Sequence, residues 1–91
     1  MSKADKVSNP ARKSPVQIRF EILEYLFYNL GPHFRTPLWR HATQLSYDDF
    51  QKYLEHMKSK GLVEESDDGI RLTSAGKDVY LKLRDTLPSI L

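Results

Sequence analysis

Residues 45–63, LSYDDFQKYLEHMKSKGLV, decide the fold because they specify one helix with its start, its buried face and its end. Ser46 belongs to a residue type that caps helix N-termini, since its hydroxyl accepts a hydrogen bond from a backbone N–H two or three residues later. Gly61 ends the helix because glycine readily adopts the left-handed conformation found at that point. Between them, apolar residues recur at helical spacing: Phe50, Tyr53, Leu54 and Met57. The stretch predicts a helix over about residues 46–60.

Two helices are predicted upstream of this one. Ser14-Pro15 places a cap residue before a proline at the first helical position, and an apolar periodicity follows as far as Gly31-Pro32, so helix 1 is predicted over residues 15–30. Thr36-Pro37 repeats the arrangement and predicts a short helix 2 over residues 37–43. A short helix followed, after a brief turn, by a second capped helix is the helix-turn-helix arrangement.

A hairpin and a fourth helix are predicted downstream. Residues 62–65 and 70–72 are typical of short strands, and the Asp68-Gly69 pair between them is a strong hairpin signal. Thr73 is placed to cap a fourth helix over residues 74–87, which Pro88 is expected to end. The order helix-helix-helix-strand-strand-helix predicts a mostly α protein with a small β-hairpin, the winged helix-turn-helix fold.

The 91 residues suit a single small domain, which we assign to residues 14–91. Residues 1–13 are polar and cationic, and two interpretations stay open: a flexible basic arm that contacts phosphates, or a solvated leader. Fourteen basic and twelve acidic residues give a net charge of +2, which is too small by itself to establish nucleic-acid binding.

Several functional classes find no support in the sequence. No cysteine occurs, which excludes disulfides and thiolate zinc sites, and the three histidines lack metal-ligand spacing. No glycine-rich phosphate loop or nucleophile elbow occurs either. No apolar run approaches the roughly 18 residues of a membrane helix. We therefore expect no enzymatic activity, metal, cofactor, small-molecule substrate or membrane association, and a cytoplasmic location, nucleoid-associated if the protein binds DNA.

The sequence resembles the small archaeal winged-helix-turn-helix proteins, which include chromatin-associated and transcriptional DNA binders. Three elements carry the resemblance: LSYxxFxKYL at residues 45–54, KGLV at 60–63 and LTxxG at 72–76. Matching positions run from about helix 1 to helix 4. The resemblance implies double-stranded DNA binding through helix 3 and, in many members, homodimers formed by the last helix.

The outward face of helix 3 is mixed in charge. With Phe50 and Leu54 facing inward, it carries Lys52 between two carboxylates, Asp48 and Glu55. Carboxylates repel phosphates, although one can accept a hydrogen bond from cytosine N4. Helix 2, the start of helix 3 and the wing add further polar groups. The residues predicted to contact DNA are Arg35, Arg40, His41, Ser46, Tyr47, Gln51, Lys52 and Arg71.

Two alternatives stay open beside this interpretation. The helix 3 residues could be ordinary solvated side chains, some of them paired as Asp48 with Lys52. The acidic residues of helix 3 and the wing tip also favour a winged helix that contacts another protein instead of DNA. For the last helix, burial against helix 1 competes with a homodimer contact. The residues assigned to that contact are Tyr80, Leu81, Leu87, Ile90 and Leu91.

Overall fold

The computed structural model describes residues 13–90, with side chains described as far as residue 86. The helices are α1 (Pro15–Tyr28), α2 (Arg35–Ala42), α3 (Tyr47–Ser59) and α4 (Ser74–Ile90), and the strands are β1 (Val63–Ser66) and β2 (Gly69–Leu72). This order confirms the predicted winged helix.

One core joins all of these elements. The three inward residues of α3 are fully buried, and burying each such side chain contributes about 1.5–3 kcal/mol. The buried apolar residues are Phe20, Ile22, Leu23, Leu26, Leu38, Phe50, Leu54, Met57, Val63, Ile70 and Tyr80. Because α3 packs by one face only, its opposite face is left to solvent.

Three of the four helices begin at a predicted hydroxyl cap. Ser14 Oγ accepts from the Gln17 backbone N–H at 3.1 Å, and Ser46 Oγ accepts from that of Asp49 at 3.1 Å. Thr73 Oγ1 caps α4 by accepting from the Gly76 N–H at 2.9 Å. These bonds satisfy backbone donors that would otherwise lack partners. The predicted cap at Thr36 was wrong, because α2 begins at Arg35, after Phe34, and has no side-chain cap.

The wing is an antiparallel hairpin with Asp67 and Asp68 in its turn, and its register runs from Val63 opposite Leu72 to Ser66 opposite Gly69. A third extended segment joins it, because His33 and Ile70 exchange backbone N–H···O bonds of 2.9 and 2.8 Å. Gly69 permits this approach: it has a φ of +125°, and a Cβ there would lie 2.9 Å from the His33 backbone. The wing is thus attached to the segment that leads into α2.

Two predicted helix boundaries were wrong: the end of helix 1 and the start of helix 2. Helix 1 ends at Tyr28 and not at residue 30, because the backbone of Asn29 leaves helical geometry, with φ −122° and ψ 83°. The side-chain nitrogen of Asn29 also donates to the Tyr25 carbonyl, at 2.8 Å. Helix 2 begins at Arg35 and not at Pro37. Pro37 lies in the first turn instead, where a missing N–H costs nothing because those donors have no partner within the helix.

The last helix continues past Pro88 to Ile90, and the strands span residues 63–66 and 69–72 and not the predicted 62–65 and 70–72. A proline inside a helix removes one backbone hydrogen bond and strains the preceding turn. Here only two helical residues follow it, so the interruption falls where the helix ends in any case.

Candidate nucleic-acid interface

The exposed face of α3 is an open surface formed by one stripe of polar side chains. Asp48, Gln51, Lys52 and Glu55 follow one another at helical spacing and line a shallow depression. The ion pair between Asp48 and Lys52, one of the two alternatives above, does not form: within the described residues, no carboxylate lies within 4 Å of the Lys52 ammonium group. Lys52 therefore presents its ammonium group to solvent.

The turn between α2 and α3 is fixed by Trp39. Its indole Nε1 donates to the Leu45 carbonyl at 2.7 Å, and its ring lies edge-on to the Tyr47 ring at 5.3 Å. Tyr47 also contacts Phe50, so it is half-buried and is mainly a packing residue at the start of α3. Ser46, which caps the helix, is exposed beside it. The N-terminus of α3 is therefore held in place and open to solvent.

A charge cluster joins α2, α3 and the wing. It consists of Arg35, Glu55, Lys58 and Glu65, and it is called the hinge cluster below. Arg35 donates from Nε and Nη2 to the two oxygens of Glu65, at 2.8 and 2.7 Å, and from Nη2 to Glu55 Oε2 at 2.8 Å. Lys58 Nζ donates to Glu65 at 2.9 Å and to Glu55 at 3.4 Å. Two cations and two carboxylates give the cluster no net charge.

The predicted role of Arg35 as a phosphate contact is revised by this geometry. Its side chain is only 28% exposed and is already engaged by two carboxylates. Hydrogen bonds from Arg35 lower the pKa of Glu65 from its usual 4.5 to about 2, and they also lower the pKa of Glu55. Hydrogen bonding to Glu65 raises the pKa of both Arg35 and Lys58. All four groups are therefore charged at neutral pH.

The remaining predicted basic residues lie on two separate elements, α2 and β2. Arg40 is exposed at the end of α2, with its guanidinium 5.9 Å from the Trp39 ring. His41 is exposed next to it and stacks on Tyr25 at 6.2 Å. Arg71 borders a separate depression, which it lines together with residues of α1 and α4. The structure thus places Gln51 and Lys52 together on α3 but does not add Arg71 to that face.

The assignment of Tyr80 to a dimer contact was wrong, because this side chain lies in the core of the single chain. It is fully buried, with its ring 5.2 Å from that of Phe20 and 4.6 Å from that of Phe27. Burial raises the pKa of Tyr80 to about 12. Leu81 is half-buried. Leu91, and the side chains of Leu87 and Ile90, lie outside the described part, as does most of the predicted basic arm.

Sequence reasoning missed the hinge cluster, although one signal for it exists. Side chains alternate across a strand, so Glu65 shares a face with the buried Val63, whereas Glu64 points to solvent. A carboxylate on the inward face of a strand needs a partner. That need points to a cation on a neighbouring element, but the sequence does not say which one.

The comparison with known families agrees with this architecture. A family model described as winged helix-turn-helix matches residues 12–88, which include every helix and strand given above apart from the last two residues of α4. The chain belongs to the winged helix-turn-helix family. Winged helix-turn-helix domains commonly bind DNA. No curated protein matches the chain. Within residues 13–90, no helix has the length and apolar character needed to cross a membrane.

Proposed function

We propose that this winged helix-turn-helix protein binds double-stranded DNA by placing the exposed face of α3 in the major groove. The observation that carries the proposal is the outer stripe of α3: the helix packs on the core by its opposite face, and the side chains of Gln51 and Lys52, at the centre of the stripe, make no hydrogen bond or ion pair with any other described element. A helix of this kind fits the major groove of B-DNA.

Each part of this face has a role in the proposed complex. Gln51 can form paired hydrogen bonds with adenine, and Lys52 can donate to guanine or to a phosphate. At the start of α3, Ser46 is exposed, and the Tyr47 and Asp48 backbone N–H groups lie at the positive end of the helix dipole, which suits a phosphate. Arg40 would contact the DNA backbone from α2. The acidic wing tip, Asp67 and Asp68, would stay outside the groove.

In the cell, such a protein would act without catalysis, as a transcriptional regulator or as a chromatin-associated protein. A homodimer would set two α3 helices about one DNA turn apart and so double the contacts. The candidates that remain for its interface are Leu81, Leu87, Ile90 and Leu91. Light scattering coupled to size-exclusion chromatography, with the wild type and Leu81→Glu, tests this part of the proposal.

The direct test is a titration of a labelled mixed-sequence duplex at two salt concentrations. The test variant combines Arg40→Glu with Lys52→Glu, and the matched control combines Lys77→Glu with Lys82→Glu, two exposed lysines of α4. Counterion release makes binding weaken as salt is raised, with a log–log slope of about 0.9 per phosphate contacted. We expect the test variant to lose DNA binding and the control to keep most of it.

A second function is favoured by the charges around this face. The hinge cluster is neutral and the wing tip is acidic, so the same face could contact another protein. The titration separates the two functions. If the folded wild type binds no duplex at low salt, DNA binding is refuted and a protein partner for α3 becomes the better explanation.

A further inference from the structure

The Glu55 carboxylate on the α3 face is held by two hydrogen bonds through one of its oxygens, while its other oxygen accepts none from the described residues. Glu55 lies in the third turn of α3 with a side chain that is 56% exposed. Its Oε2 accepts from Arg35 Nη2 at 2.8 Å and from Lys58 Nζ at 3.4 Å. No residue within the described chain donates to its Oε1. Oε1 is thus an acceptor on the surface that the proposed function turns toward DNA.

The supports of Glu55 are themselves fixed to another element. Arg35 is bound through two nitrogens by Glu65 on β1, and Lys58 donates to the same carboxylate. A glutamate on an exposed helix normally samples many rotamers, and ordering them opposes binding. Here the fold has already restricted the side chain. The two cations also offset the repulsion that a bare carboxylate would meet near DNA phosphates.

We propose that Glu55 is a base-reading residue that selects cytosine at one position of the DNA site. This inference rests on the proposed function, that is, on DNA binding through α3. In the major groove cytosine presents its N4 amino group as a donor, which a carboxylate oxygen can accept. Guanine presents O6 and N7, and thymine presents O4, all of them acceptors that a carboxylate repels. Adenine has a donor at N6 beside an acceptor at N7, so a site with adenine at this position should bind more weakly than one with cytosine and more tightly than one with guanine or thymine.

The test compares base preference in three proteins: the wild type, Glu55→Gln and the control Glu64→Gln. Glu64 is an exposed glutamate of β1 that makes no ion pair within the described chain. Duplexes bound from a randomised pool are sequenced, and the selected site is then titrated with each of the four base pairs at the position of strongest cytosine preference. Circular dichroism confirms that each variant is folded.

The expected result is a preference of about 5- to 150-fold for cytosine over thymine or guanine in the wild type. Glu55→Gln should lose most of this preference, because an amide can donate as well as accept and so tolerates either kind of base edge. Preferences at the other positions should stay unchanged. The Glu64→Gln variant should match the wild type throughout.

Three outcomes would overturn the inference, and they are distinguishable. If Glu55→Gln keeps the cytosine preference, or the wild type has none, the reading role is wrong while DNA binding stands. If Glu55→Gln binds every sequence more tightly by the same factor, Glu55 competes with phosphates for Arg35 and does not read a base. If the folded wild type binds no duplex at low salt, the proposed function fails and this inference fails with it.

Discussion

Glu65 provides the sharpest test of how the wing is held to the helices. Its carboxylate accepts from Arg35 on α2 and from Lys58 on α3, at 2.7–2.9 Å, while its own strand begins the wing. Replacing it by glutamine keeps the shape and one acceptor oxygen but removes the charge. The substitution therefore weakens the only described ion pairs that link β1 to the two helices of the helix-turn-helix.

The expected loss follows from the pKa of this carboxyl group. A fall from 4.5 to about 2 on folding corresponds to about 3 kcal/mol of stabilisation at neutral pH, at about 1.4 kcal/mol per pKa unit. The side chain of Glu65 is 22% exposed, so solvent screens part of this, and the amide oxygen of the variant still accepts one hydrogen bond. We expect Glu65→Gln to lower the free energy of unfolding by about 2 kcal/mol.

The pH dependence has a definite sign. Because folding lowers the pKa of Glu65, its contribution is complete above about pH 5 and is lost as the pH falls toward 2. Urea unfolding of the wild type, Glu65→Gln and the control Glu64→Gln should be followed at pH 7, 4 and 2. Far-UV circular dichroism and the fluorescence of the single tryptophan, Trp39, report the transition. The difference between wild type and Glu65→Gln should shrink steadily across this series.

Two results would refute this reasoning. One is a Glu65→Gln loss at pH 7 no larger than that of Glu64→Gln, which should stay within about 0.5 kcal/mol. The other is a Glu65→Gln loss that is equally large at pH 7 and pH 2, because that would mean the substitution acts through packing and not through charge.

Three further substitutions test other parts of the fold by urea unfolding. Ser46→Ala should lower the free energy of unfolding by about 1 kcal/mol because it removes the cap of α3. The control Ser74→Ala removes no described hydrogen bond and should cost less than half as much. Equal losses would contradict the capping role. Gly76→Ala should lower the free energy of unfolding by on the order of 3 kcal/mol, since its Cβ would collide with the Leu62 carbonyl oxygen and lie 2.8 Å from Leu72 Cδ1. A variant as stable as the wild type would show that the surrounding residues move to relieve this contact. Tyr80→Ala should cost about 3–5 kcal/mol because this ring fills the core, and a loss below 1 kcal/mol would show that the ring is dispensable there.

The helices and the hairpin could be predicted because their signals are local. Ser46 and Gly61 mark the two ends of α3, and its apolar spacing identified the buried face correctly. Errors arose where a boundary depends on a backbone conformation that no glycine or proline marks. α1 ends because Asn29 leaves helical geometry, whereas Gly31 and Pro32 are the stronger stop signals in the sequence.

The site was harder to predict because its charges are arranged by tertiary contacts. Arg35 and Glu65 are thirty residues apart in the chain, and nothing local indicates that they meet. Considered alone, Arg35 is an ordinary cation at the start of a DNA-binding motif. The same limit applies to Tyr80. Its position on α4 is compatible with either the core or a dimer contact, and only its packing against Phe20 and Phe27 places it in the core.

The hinge cluster changes what kind of DNA binding this face can support. Arg35 and Lys58 are both bound to carboxylates, which leaves Arg40 and Lys52 as the cations of the α2–α3 surface without an ion pair in the described chain. Few phosphate contacts give a shallower dependence on salt, and a weaker sequence-independent affinity, than a face with all of its cations unpaired would have. A protein with such a face must gain its affinity from base contacts or from pairing of two copies. Both routes favour selective binding over general coating of DNA. Within the proposed function, the neutral cluster therefore favours a regulator over an architectural protein.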